Sequence, residues 1–238
     1  MNKVPELSIF FPFWNEEENI EAVIKKAIPE AEKLAVKWEI IIIDDGSSDK
    51  TLELARKISK KDSRLIVLAH KKNRGYGAAL KTGLSASKYE LIVFNDGDGQ
   101  FDLSEATKFL DKIDQADMVI GFRKKRLDNP FRHILMNLLK IWDFIFFGFT
   151  FKDIDCGFKL FKKKSINKIM PFQSEGAMIT TEILAKAKKA KFKIFQVEVS
   201  HYPRVYGDQS GGNLRVILRA IRESLMLWVN ITFNYGRS

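Results

Sequence analysis

The chain is poor in cysteine and in long apolar segments, and each shortage excludes a class of protein. Cys156 is the single cysteine among 238 residues, so an internal disulfide framework is excluded and a reducing compartment is favoured. No run approaches the roughly 20 apolar residues of a membrane-spanning helix, because IWDFIFFGFTF at 141–151 is interrupted by Asp143. The N-terminus MNKVPELSIFF lacks a signal-peptide pattern. We expect a cytoplasmic protein that lies on the surface of a membrane if it meets one.

Several enzyme signatures are also missing. There is no Walker-type phosphate loop and no G-x-S-x-G elbow. The segment NRGYGAALKTG at 73–83 could accommodate a phosphate or a base at a helix start, but the third glycine of a dinucleotide fingerprint would fall on Leu80. A nicotinamide enzyme is therefore disfavoured. Four further side chains have no catalytic or ligand spacing, and we interpret them as structural: Cys156, His70, His133 and His201.

Positive charge is concentrated in the second half of the chain. Residues 1–120 carry 18 Lys and Arg against 21 Asp and Glu, a net charge of −3. Residues 121–238 carry 22 against 9, a net charge of +13. A single basic run such as 162–164 is usually solvated surface, but an asymmetry of a whole half indicates an anionic partner such as phosphate, lipid headgroups or nucleic acid.

Short β-branched runs alternate with helical segments over the first 120 residues. Runs of this kind suit a parallel sheet that is buried on both faces. The alternation predicts an α/β fold, with a Rossmann-like, doubly wound, mostly parallel sheet and helices on both faces. The predicted strands are 7–11, 39–44, 64–69, 90–94 and 117–121, and the predicted helices are Glu16–Leu34, Asp49–Lys60, Gly75–Ser85 and Leu103–Ile113.

The pattern changes after residue 122. An aromatic-rich, helix-like stretch at 130–150 precedes mixed elements and an amphipathic helix near 213–229. Neither an internal repeat nor a low-complexity linker interrupts the chain. We therefore expect residues 1–238 to form a single domain.

Polar clusters follow three of the predicted strands. They are PFWNEE at 12–17, DDGSSD at 44–49 and DGDGQ at 96–100. In doubly wound sheets ligands bind beyond the carboxyl ends of the strands. We expect the three clusters to converge on one edge of the sheet.

The third cluster is a candidate metal site. Asp96 and Asp98 are two residues apart, and together with Gln100 they offer the hard oxygen ligands that suit Mg²⁺ or Mn²⁺. The alternative is a turn in which Asp and Gly serve only the backbone geometry. These residues by themselves leave both interpretations open.

The second cluster combines a helix start with two acids. Asp49 is a candidate N-cap for the second helix. Asp44 and Asp45 lie where the strand stops, and a carboxylate there could accept a hydrogen bond from a ribose hydroxyl or a base N–H.

Together these motifs resemble the family 2 glycosyltransferases of GT-A fold. The resemblance is most specific to the polyprenyl-phosphate glycosyltransferases, the group that includes dolichyl-phosphate mannosyl- and glucosyltransferases. The motifs occur in the expected order over most of residues 7–161. They are PFWNEEENI (12–20), IIIDDGSSDKT (41–51), KNRGYGAALKTG (72–83), DGDGQ (96–100), GFR (121–123) and DIDCGFKLF (153–161).

The resemblance implies a role for each matching residue. The nucleotide would be bound by Pro12, Asn15, Glu16, Asp44, Asp45 and Asp96. The divalent ion would be held by Asp96, Asp98 and Gln100, the acceptor phosphate by Arg123 and Arg132, and the catalytic group would comprise Asp98, Asp153 and Arg204.

The chain departs from the group near residue 204. The group often carries R-x-x-G-x-S-K, whereas this chain has RVYGDQSGG at 204–212. Arg204 can still reach a diphosphate, but Ser210 is not carried over. The membrane-spanning helices that many bacterial relatives add are not found in this sequence.

The implied reaction moves a sugar, with inversion, from a GDP- or UDP-linked donor to a polyprenyl phosphate on the cytoplasmic face of a membrane. Residues 1–121 would bind the donor, and residues 122–238 would face the acceptor and the membrane. A phosphate monoester has its second pKa near ~6 and is largely dianionic at neutral pH, so arginines that orient it suffice.

Two alternatives stay open. A carbohydrate or protein hydroxyl as acceptor would require a carboxylate base, for which Asp153 and Asp155 are the candidates. Nucleic-acid binding rests on charge alone and lacks a recognisable module, so we expect no nucleic-acid partner. The aromatic stretch at 141–151 suits either acyl chains or an ordinary core.

Overall fold

The structure, a computed structural model, describes residues 3–124, 142, 144–207 and 214–234. Its strands are β1 Val4–Phe13, β2 Ala35–Asp44, β3 Leu65–Ala69, β4 Leu91–Asn95, β5 Met118–Arg123, β6 Phe158–Lys162 and β7 Ile194–Val199. Its helices are α1 Ile20–Leu34, α2 Thr51–Ser59, α3 Tyr76–Ala86, α4 Ala106–Ile113, α5 Lys163–Ile169, α6 Ile179–Lys189 and α7 Leu214–Val229. A short 3₁₀ helix, Leu103–Glu105, leads into α4, and a π-helical turn, Asn230–Asn234, follows α7.

All seven strands form one sheet in the order β3-β2-β1-β4-β6-β5-β7. The pairs β1–β2, β1–β4, β2–β3 and β5–β7 are parallel, whereas β6 is antiparallel to both of its neighbours. The predicted α/β fold with a mostly parallel sheet is confirmed.

Apolar side chains fill both faces of the sheet. Along β2, Ile40 and Ile42 pack into one core and Ile41 and Ile43 into the other. Successive side chains of a strand point to opposite faces, so a continuous apolar run is what a strand between two helical layers needs. Helices α1, α2 and α4 cover one core, and α3, α5 and α6 cover the other.

The predicted elements of the first half are all present. Strands β1 and β2 begin three and four residues before the predicted runs, whereas β3, β4 and β5 differ from their predicted ends by no more than two residues. The first helix begins at Ile20 rather than at Glu16. The second helix begins at Thr51 with Lys50 in the N-cap position. Asp49 nevertheless accepts a hydrogen bond from the Thr51 N–H at 3.0 Å, so it contributes to the helix start.

The second half adds two strands to the same sheet. The sequence indicated only mixed elements here, whereas β6 lies between β4 and β5, and β7 forms an edge beside β5. The predicted C-terminal helix is confirmed as α7. Most of the predicted helical stretch at 130–150 lies outside the described residues, and within it residues 142 and 144–147 are helical.

This topology places many loops at one edge of the sheet. The carboxyl ends of β1, β2, β4, β5 and β7 point the same way, because these strands are linked by parallel pairing or through the antiparallel β6. The amino end of β6 lies at that edge for the same reason. Residues 153–157 and 200–207, from the second half, therefore join the three predicted clusters of the first half.

Candidate active site

The DGDGQ loop follows β4 and carries two acids in different surroundings. Asp96 Oδ1 accepts a hydrogen bond from the Tyr76 hydroxyl at 2.9 Å. Asp98 Oδ1 accepts one from the Gln100 N–H at 3.0 Å. The Gln100 side chain is buried and donates through Nε2 to the Tyr202 carbonyl at 3.0 Å. The three predicted metal ligands thus lie on one short loop, and a separate hydrogen bond orients each side chain.

Burial and the nearby negative charge of Asp98 raise the pKa of Asp96 to about 7. Two carboxylates in a confined space oppose each other's ionisation, and a bound cation would relieve that cost. Hard oxygen donors with excess negative charge are what Mg²⁺ and Mn²⁺ require, so the residues present fit a divalent cation. Within the described ranges, no three His, Cys, Asp or Glu side chains form a group that could hold a metal ion.

The two aspartates after β2 are not equivalent. Both carboxylate oxygens of Asp45 have partners within the protein. Its Oδ1 accepts a hydrogen bond from the Arg74 N–H at 3.0 Å and lies 2.6 Å from His70 Nδ1. Its Oδ2 accepts a hydrogen bond from the Gly75 N–H at 2.8 Å. Asp44 uses only Oδ2, which accepts from the Ser47 N–H at 3.3 Å. Asp44 Oδ1 is buried, and no described residue donates to it. Asp44 is therefore the acid with an acceptor to offer a ligand.

The loop after β1 is tied to the loop after β2. The backbone of Asn15 has φ 53°, a left-handed conformation that asparagine tolerates better than most residues. Its N–H donates to Ser47 Oγ at 2.9 Å, and its Oδ1 accepts from the Ser48 N–H at 2.8 Å. Pro12 lies within β1, in register with Ile43. The first two predicted clusters are therefore one connected wall.

Arg204 joins the second half of the chain to this wall. Its guanidinium pairs with Glu16 through Nη2, and Nη1 lies 3.7 Å from Asp98 Oδ2. Burial raises the pKa of Glu16, although Asn19 and Arg204 act against that rise. The loop that carries Arg204 is held by the Tyr202 N–H, which donates to the Gln100 carbonyl at 2.9 Å. Arg204 therefore lies between the predicted nucleotide and metal residues.

Arg123 and Asp153, which the resemblance assigned to separate roles, form one ion pair. Arg123 Nε donates to Asp153 Oδ2 at 2.6 Å and Nη2 donates to Oδ1 at 2.9 Å, with both side chains buried. Each oxygen of the Asp153 carboxylate thus accepts a charge-assisted hydrogen bond from the same guanidinium. Arg132 lies outside the described residues.

Three residues near Asp96 were not assigned any role from the sequence. Tyr76 contacts Asp96 directly. A Cβ atom on Gly157 would overlap Asp96 Oδ2, so only glycine allows the carboxylate its place. Lys159 is fully buried and donates to the Cys156 carbonyl, and burial lowers its pKa. The motifs GYG and CGFK contain these residues, but spacing alone does not show that they meet.

The structure gives the histidines and the cysteine packing contacts. His70 Nε2 lies 2.9 Å from Thr82 Oγ1, in addition to its contact with Asp45. His201 packs against Phe101 with a ring separation of 5.4 Å. Cys156 is buried, which raises the pKa of its thiol to about 12. The structural interpretation agrees with these contacts, and His133 lies outside the described residues.

The chain matches a family model and several curated proteins. The model described as glycosyl transferase family 2 matches residues 8–170. A dolichyl-phosphate β-glucosyltransferase of Saccharomyces cerevisiae is 30% identical over 220 residues, which cover 82% of this chain and 66% of that protein. An undecaprenyl-phosphate 4-deoxy-4-formamido-L-arabinose transferase of Salmonella choleraesuis is 28% identical over 216 residues, 90% of this chain and 65% of that protein. The chain thus spans slightly less than two thirds of either relative.

Solved structures of the same fold are also found. Glucosyl-3-phosphoglycerate synthase from Mycobacterium tuberculosis, in complex with Mn²⁺, UDP-glucose and phosphoglyceric acid, superposes with a TM-score of 0.70. The match covers 95% of this chain and 79% of that one at 18% identity. The same enzyme in complex with UDP gives a TM-score of 0.69 at 20% identity. At this identity the likeness concerns the fold, and it confirms the predicted GT-A architecture.

Proposed function

The chain belongs to the family 2 glycosyltransferases, as the resemblance indicated, and on this premise we propose that it transfers a sugar from a nucleoside diphosphate to a polyprenyl phosphate. The observation that carries the proposal is the meeting of Asp44, the Asp96–Asp98 pair and Arg204 at one edge of the sheet. Both curated relatives described above are named as transferases that act on a polyprenyl phosphate, which supports the same acceptor here.

Donor recognition is assigned to the wall formed by the loops after β1 and β2. Asp44 Oδ1 would accept a hydrogen bond from the base or the ribose, which would satisfy a buried acceptor that no described residue reaches. Pro12, Asn15 and Glu16 would line the same pocket. Asp45 would shape the pocket through Arg74 and Gly75 rather than contact the nucleotide. The donor panel described below decides between a GDP-linked and a UDP-linked sugar.

The predicted cofactor, Mg²⁺ or Mn²⁺, would be held by Asp96 and Asp98 with the side-chain oxygen of Gln100. When bound it would supply Lewis-acid stabilisation of the charge that develops on the leaving diphosphate. The chemistry of this donor set, described above, supports the assignment.

Arg204 would act on the same leaving group. A phosphate oxygen of the acceptor forms a bond to the anomeric carbon while the bond from that carbon to the diphosphate oxygen breaks, and one displacement inverts the configuration. The nucleoside diphosphate leaves with the electron pair. The guanidinium of Arg204, already beside Asp98, would pair with these oxygens and orient the departing group.

Acceptor recognition is assigned to Arg123, together with Arg132. Because the acceptor phosphate is dianionic, no base has to remove a proton from it. The ion pair of Arg123 with Asp153 suits this chemistry, since Asp153 would orient the guanidinium rather than act as a base. A hydroxyl acceptor would need a carboxylate base, and Asp153 is poorly suited to that role because Arg123 engages it. Asp155, which accepts from the Thr180 hydroxyl at 3.5 Å, is then the candidate base for that alternative.

The acceptor implies a membrane surface, and one exposed surface supports this. Residues 144–147 contact α7, since Phe146 and Trp228 lie 5.5 Å apart. Lys188 of α6 reaches the Phe147 carbonyl at 3.2 Å, so positive charge adjoins the same surface. We name as the apolar face the exposed large apolar side chains that the described residues contribute to residues 144–147 and to α7 with the turn that follows it, Phe144, Ile145, Leu225, Met226, Val229 and Phe233. It would lie on the cytoplasmic leaflet.

The described residues include no helix with the length and hydropathy to cross a bilayer.

The proposal is tested by assaying a panel of GDP- and UDP-linked sugars with Mn²⁺ and a short polyprenyl phosphate. We expect sugar transfer that depends on the lipid phosphate and stops in excess EDTA. Asp98→Ala should reduce kcat by at least a hundredfold, because losing one charged contact to the transition state costs about 3 kcal/mol. Asp102→Ala is the matched control, since Asp102 lies on the same loop and, among the described residues, accepts from the Ser104 N–H alone.

Full turnover in EDTA would contradict the metal site. Transfer to a carbohydrate or protein hydroxyl without any lipid phosphate would replace the acceptor assignment by its first alternative. Tight binding of DNA or RNA without nucleotide-sugar turnover would overturn the whole proposal.

A further inference from the structure

The Tyr76 hydroxyl donates to Asp96 Oδ1 at 2.9 Å from the first residue of α3, on a different loop of the site. We propose that Tyr76 is a positioning residue, which fixes the Asp96 carboxylate in the orientation needed to bind the divalent cation. This inference rests on the proposed function and deepens it by adding a residue that touches neither substrate nor cation.

The tyrosine is itself held rigidly. Its ring packs edge-on against Phe94, with centroids 6.1 Å apart, and Phe94 belongs to the strand that leads into the metal loop. Gly75, which precedes Tyr76, has φ 105°, and its N–H donates to Asp45 Oδ2 at 2.8 Å. The ring and the backbone of Tyr76 are therefore both anchored, so the hydroxyl has little freedom to leave Asp96.

The opposite side of the Asp96 carboxylate is backed by Gly157. The Asp96 N–H donates to the Gly157 carbonyl at 2.9 Å, and Oδ2 lies where a Cβ atom on Gly157 would be. One carboxylate oxygen is thus bonded to Tyr76 and the other is placed against the Gly157 backbone. Rotation about the side-chain torsions of Asp96 is restricted from both sides, which is the preorganisation that a metal ligand needs.

Tyr76 can serve only as a hydrogen-bond donor here. Burial, together with the negative charge of Asp96, raises the pKa of the Tyr76 hydroxyl well above its ordinary value of 10. The hydroxyl therefore keeps its proton at physiological pH and does not compete with Asp96 for a cation. This also gives Asp45 an indirect role, because Asp45 fixes the backbone from which Tyr76 extends.

The test is Tyr76→Phe, which removes the hydroxyl and keeps the ring. Tyr89→Phe is the matched control, since Tyr89 lies just before β4, at the other end of that strand from Asp96. Binding of Mn²⁺ is measured by electron paramagnetic resonance, first with Mn²⁺ alone and then with Mn²⁺ and UDP. Steady-state rates across a Mn²⁺ titration and the melting temperature complete the set.

We expect Tyr76→Phe to weaken Mn²⁺ binding about tenfold, because the loss of one hydrogen bond to a charged group typically changes an equilibrium constant by about that factor. The Mn²⁺ concentration for half-maximal rate should rise by the same factor, and saturating Mn²⁺ should recover most of kcat. Tyr89→Phe should leave Mn²⁺ binding unchanged. The KM of the nucleotide sugar at saturating Mn²⁺ should be the same in all three proteins.

Unaltered Mn²⁺ affinity in a folded Tyr76→Phe protein, beside a wild type that binds Mn²⁺, would overturn this inference and leave the proposed function standing. A loss of kcat that excess Mn²⁺ does not recover would also overturn it, because Tyr76 would then act on something other than the cation. A wild-type protein that binds no Mn²⁺, with or without UDP, would refute this inference together with the proposed metal site, whereas sugar transfer itself is judged by the turnover assay.

Discussion

The neighbouring aspartates Asp44 and Asp45 show how strongly a single residue's role depends on what surrounds it. Both end the same strand, yet Asp45 binds three partners within the protein and Asp44 Oδ1 has none among the described residues. A buried acceptor left without a donor costs about 1–3 kcal/mol, so a site that tolerates one is expected to gain a donor from its ligand. This difference supports the proposal that Asp44 contacts the nucleotide and that Asp45 shapes the pocket.

Asp96 gives a prediction about stability and pH in the metal-free protein. Its folded pKa of about 7 lies above the ordinary value of 3.8. The stability associated with the protonated carboxyl is therefore fully present below about pH 4 and is lost as the pH rises to about 7. From pH 5 to pH 8 in EDTA, the free energy of unfolding of the wild type should fall by on the order of 2 kcal/mol more than that of Asp96→Asn.

Urea denaturation at the two pH values measures this difference. Asp62→Asn is the control: hydrogen bonds from Arg64 lower the pKa of Asp62, so it stays ionised throughout this range and its loss should not change the pH slope. Parallel pH profiles for the wild type and Asp96→Asn would show that Asp96 is not held in a strained, charged state.

The buried pair of Arg123 and Asp153 leads to a second prediction at this scale. Arg123→Ala should destabilise the protein by about 3 kcal/mol, because it leaves the Asp153 charge buried without the guanidinium. Arg123→Lys keeps a charge but loses the two-pronged geometry, so it should mainly raise the KM of the polyprenyl phosphate. Urea denaturation and initial rates separate the two effects.

The KM of the nucleotide sugar serves as the internal control for Arg123→Lys, and it should stay at the wild-type value. If it rose instead, Arg123 would belong to the donor site. If no kinetic constant changed, Arg123 would have a structural role only.

At the scale of elements, the loop 200–207 connects the two halves of the chain at the site. It follows β7, and β7 pairs in parallel with β5, so its direction leads toward the metal loop. The bonds between Tyr202 and Gln100 and the pairing of Arg204 with Glu16 fix it there. The loop thus supplies a positive charge to a region rich in carboxylates.

Gly207 controls how Arg204 lies in this loop, which gives a prediction for the element. Gly207 has φ 80°, and a Cβ atom on it would lie 2.9 Å from Arg204 Nη2. Gly207→Ala should therefore displace the guanidinium and lower kcat about tenfold, the expected loss of one charge-assisted contact. Steady-state kinetics with both substrates saturating measures this change.

Gly148→Ala is a matched control, because Gly148 has φ 61° and a Cβ atom there would lie 2.9 Å from Lys188 Nζ. Both substitutions place alanine in a left-handed conformation, which costs about 1–2 kcal/mol. Only Gly207→Ala should lower kcat. Equal losses in both variants would attribute the effect to general strain.

At the scale of the whole molecule, positive charge is concentrated in the second half of the chain, and the apolar face lies in that same half. Net charge of +13 over residues 121–238 favours an anionic surface, and each nearby Lys or Arg contributes about 1 kcal/mol to binding one. Exposed aromatic and aliphatic side chains add shallow insertion. The combination predicts peripheral attachment to an anionic bilayer.

Sedimentation with lipid vesicles tests this attachment. The protein should bind vesicles that contain anionic lipid and be released by high salt or alkaline carbonate, as expected for a surface held by charge. Ile145→Ser should weaken binding severalfold, because Ile145 is 68% exposed on the apolar face. Val36→Ser is the control, since Val36 is 69% exposed near the start of β2, the opposite end of the sheet from the site.

Equal binding to neutral and anionic vesicles would contradict the role of charge. Extraction by detergent alone would contradict peripheral attachment.

The sequence by itself determined the parallel part of the fold and the convergence of the polar clusters. The run IIII at 40–43 places apolar side chains on both faces of a strand, which suits a central strand between two helical layers. The local pattern was therefore sufficient to predict β2. The acids that follow β1, β2 and β4 had to meet, because parallel strands bring their carboxyl ends to one edge. The α/β fold and the family could be predicted from these patterns and motifs without the tertiary structure.

Only the tertiary structure decided which partner each polar residue has. The antiparallel β6 brings Gly157 and Asp153 to the end of β4, an arrangement that no local periodicity encodes. Arg204 and Glu16 are 188 residues apart along the chain. Arg123 and Asp153 are 30 residues apart. Such pairs depend on strand order and on burial, which sets how strongly charges interact. For that reason Tyr76 could be identified as the partner of Asp96 only once α3 and β4 were in place.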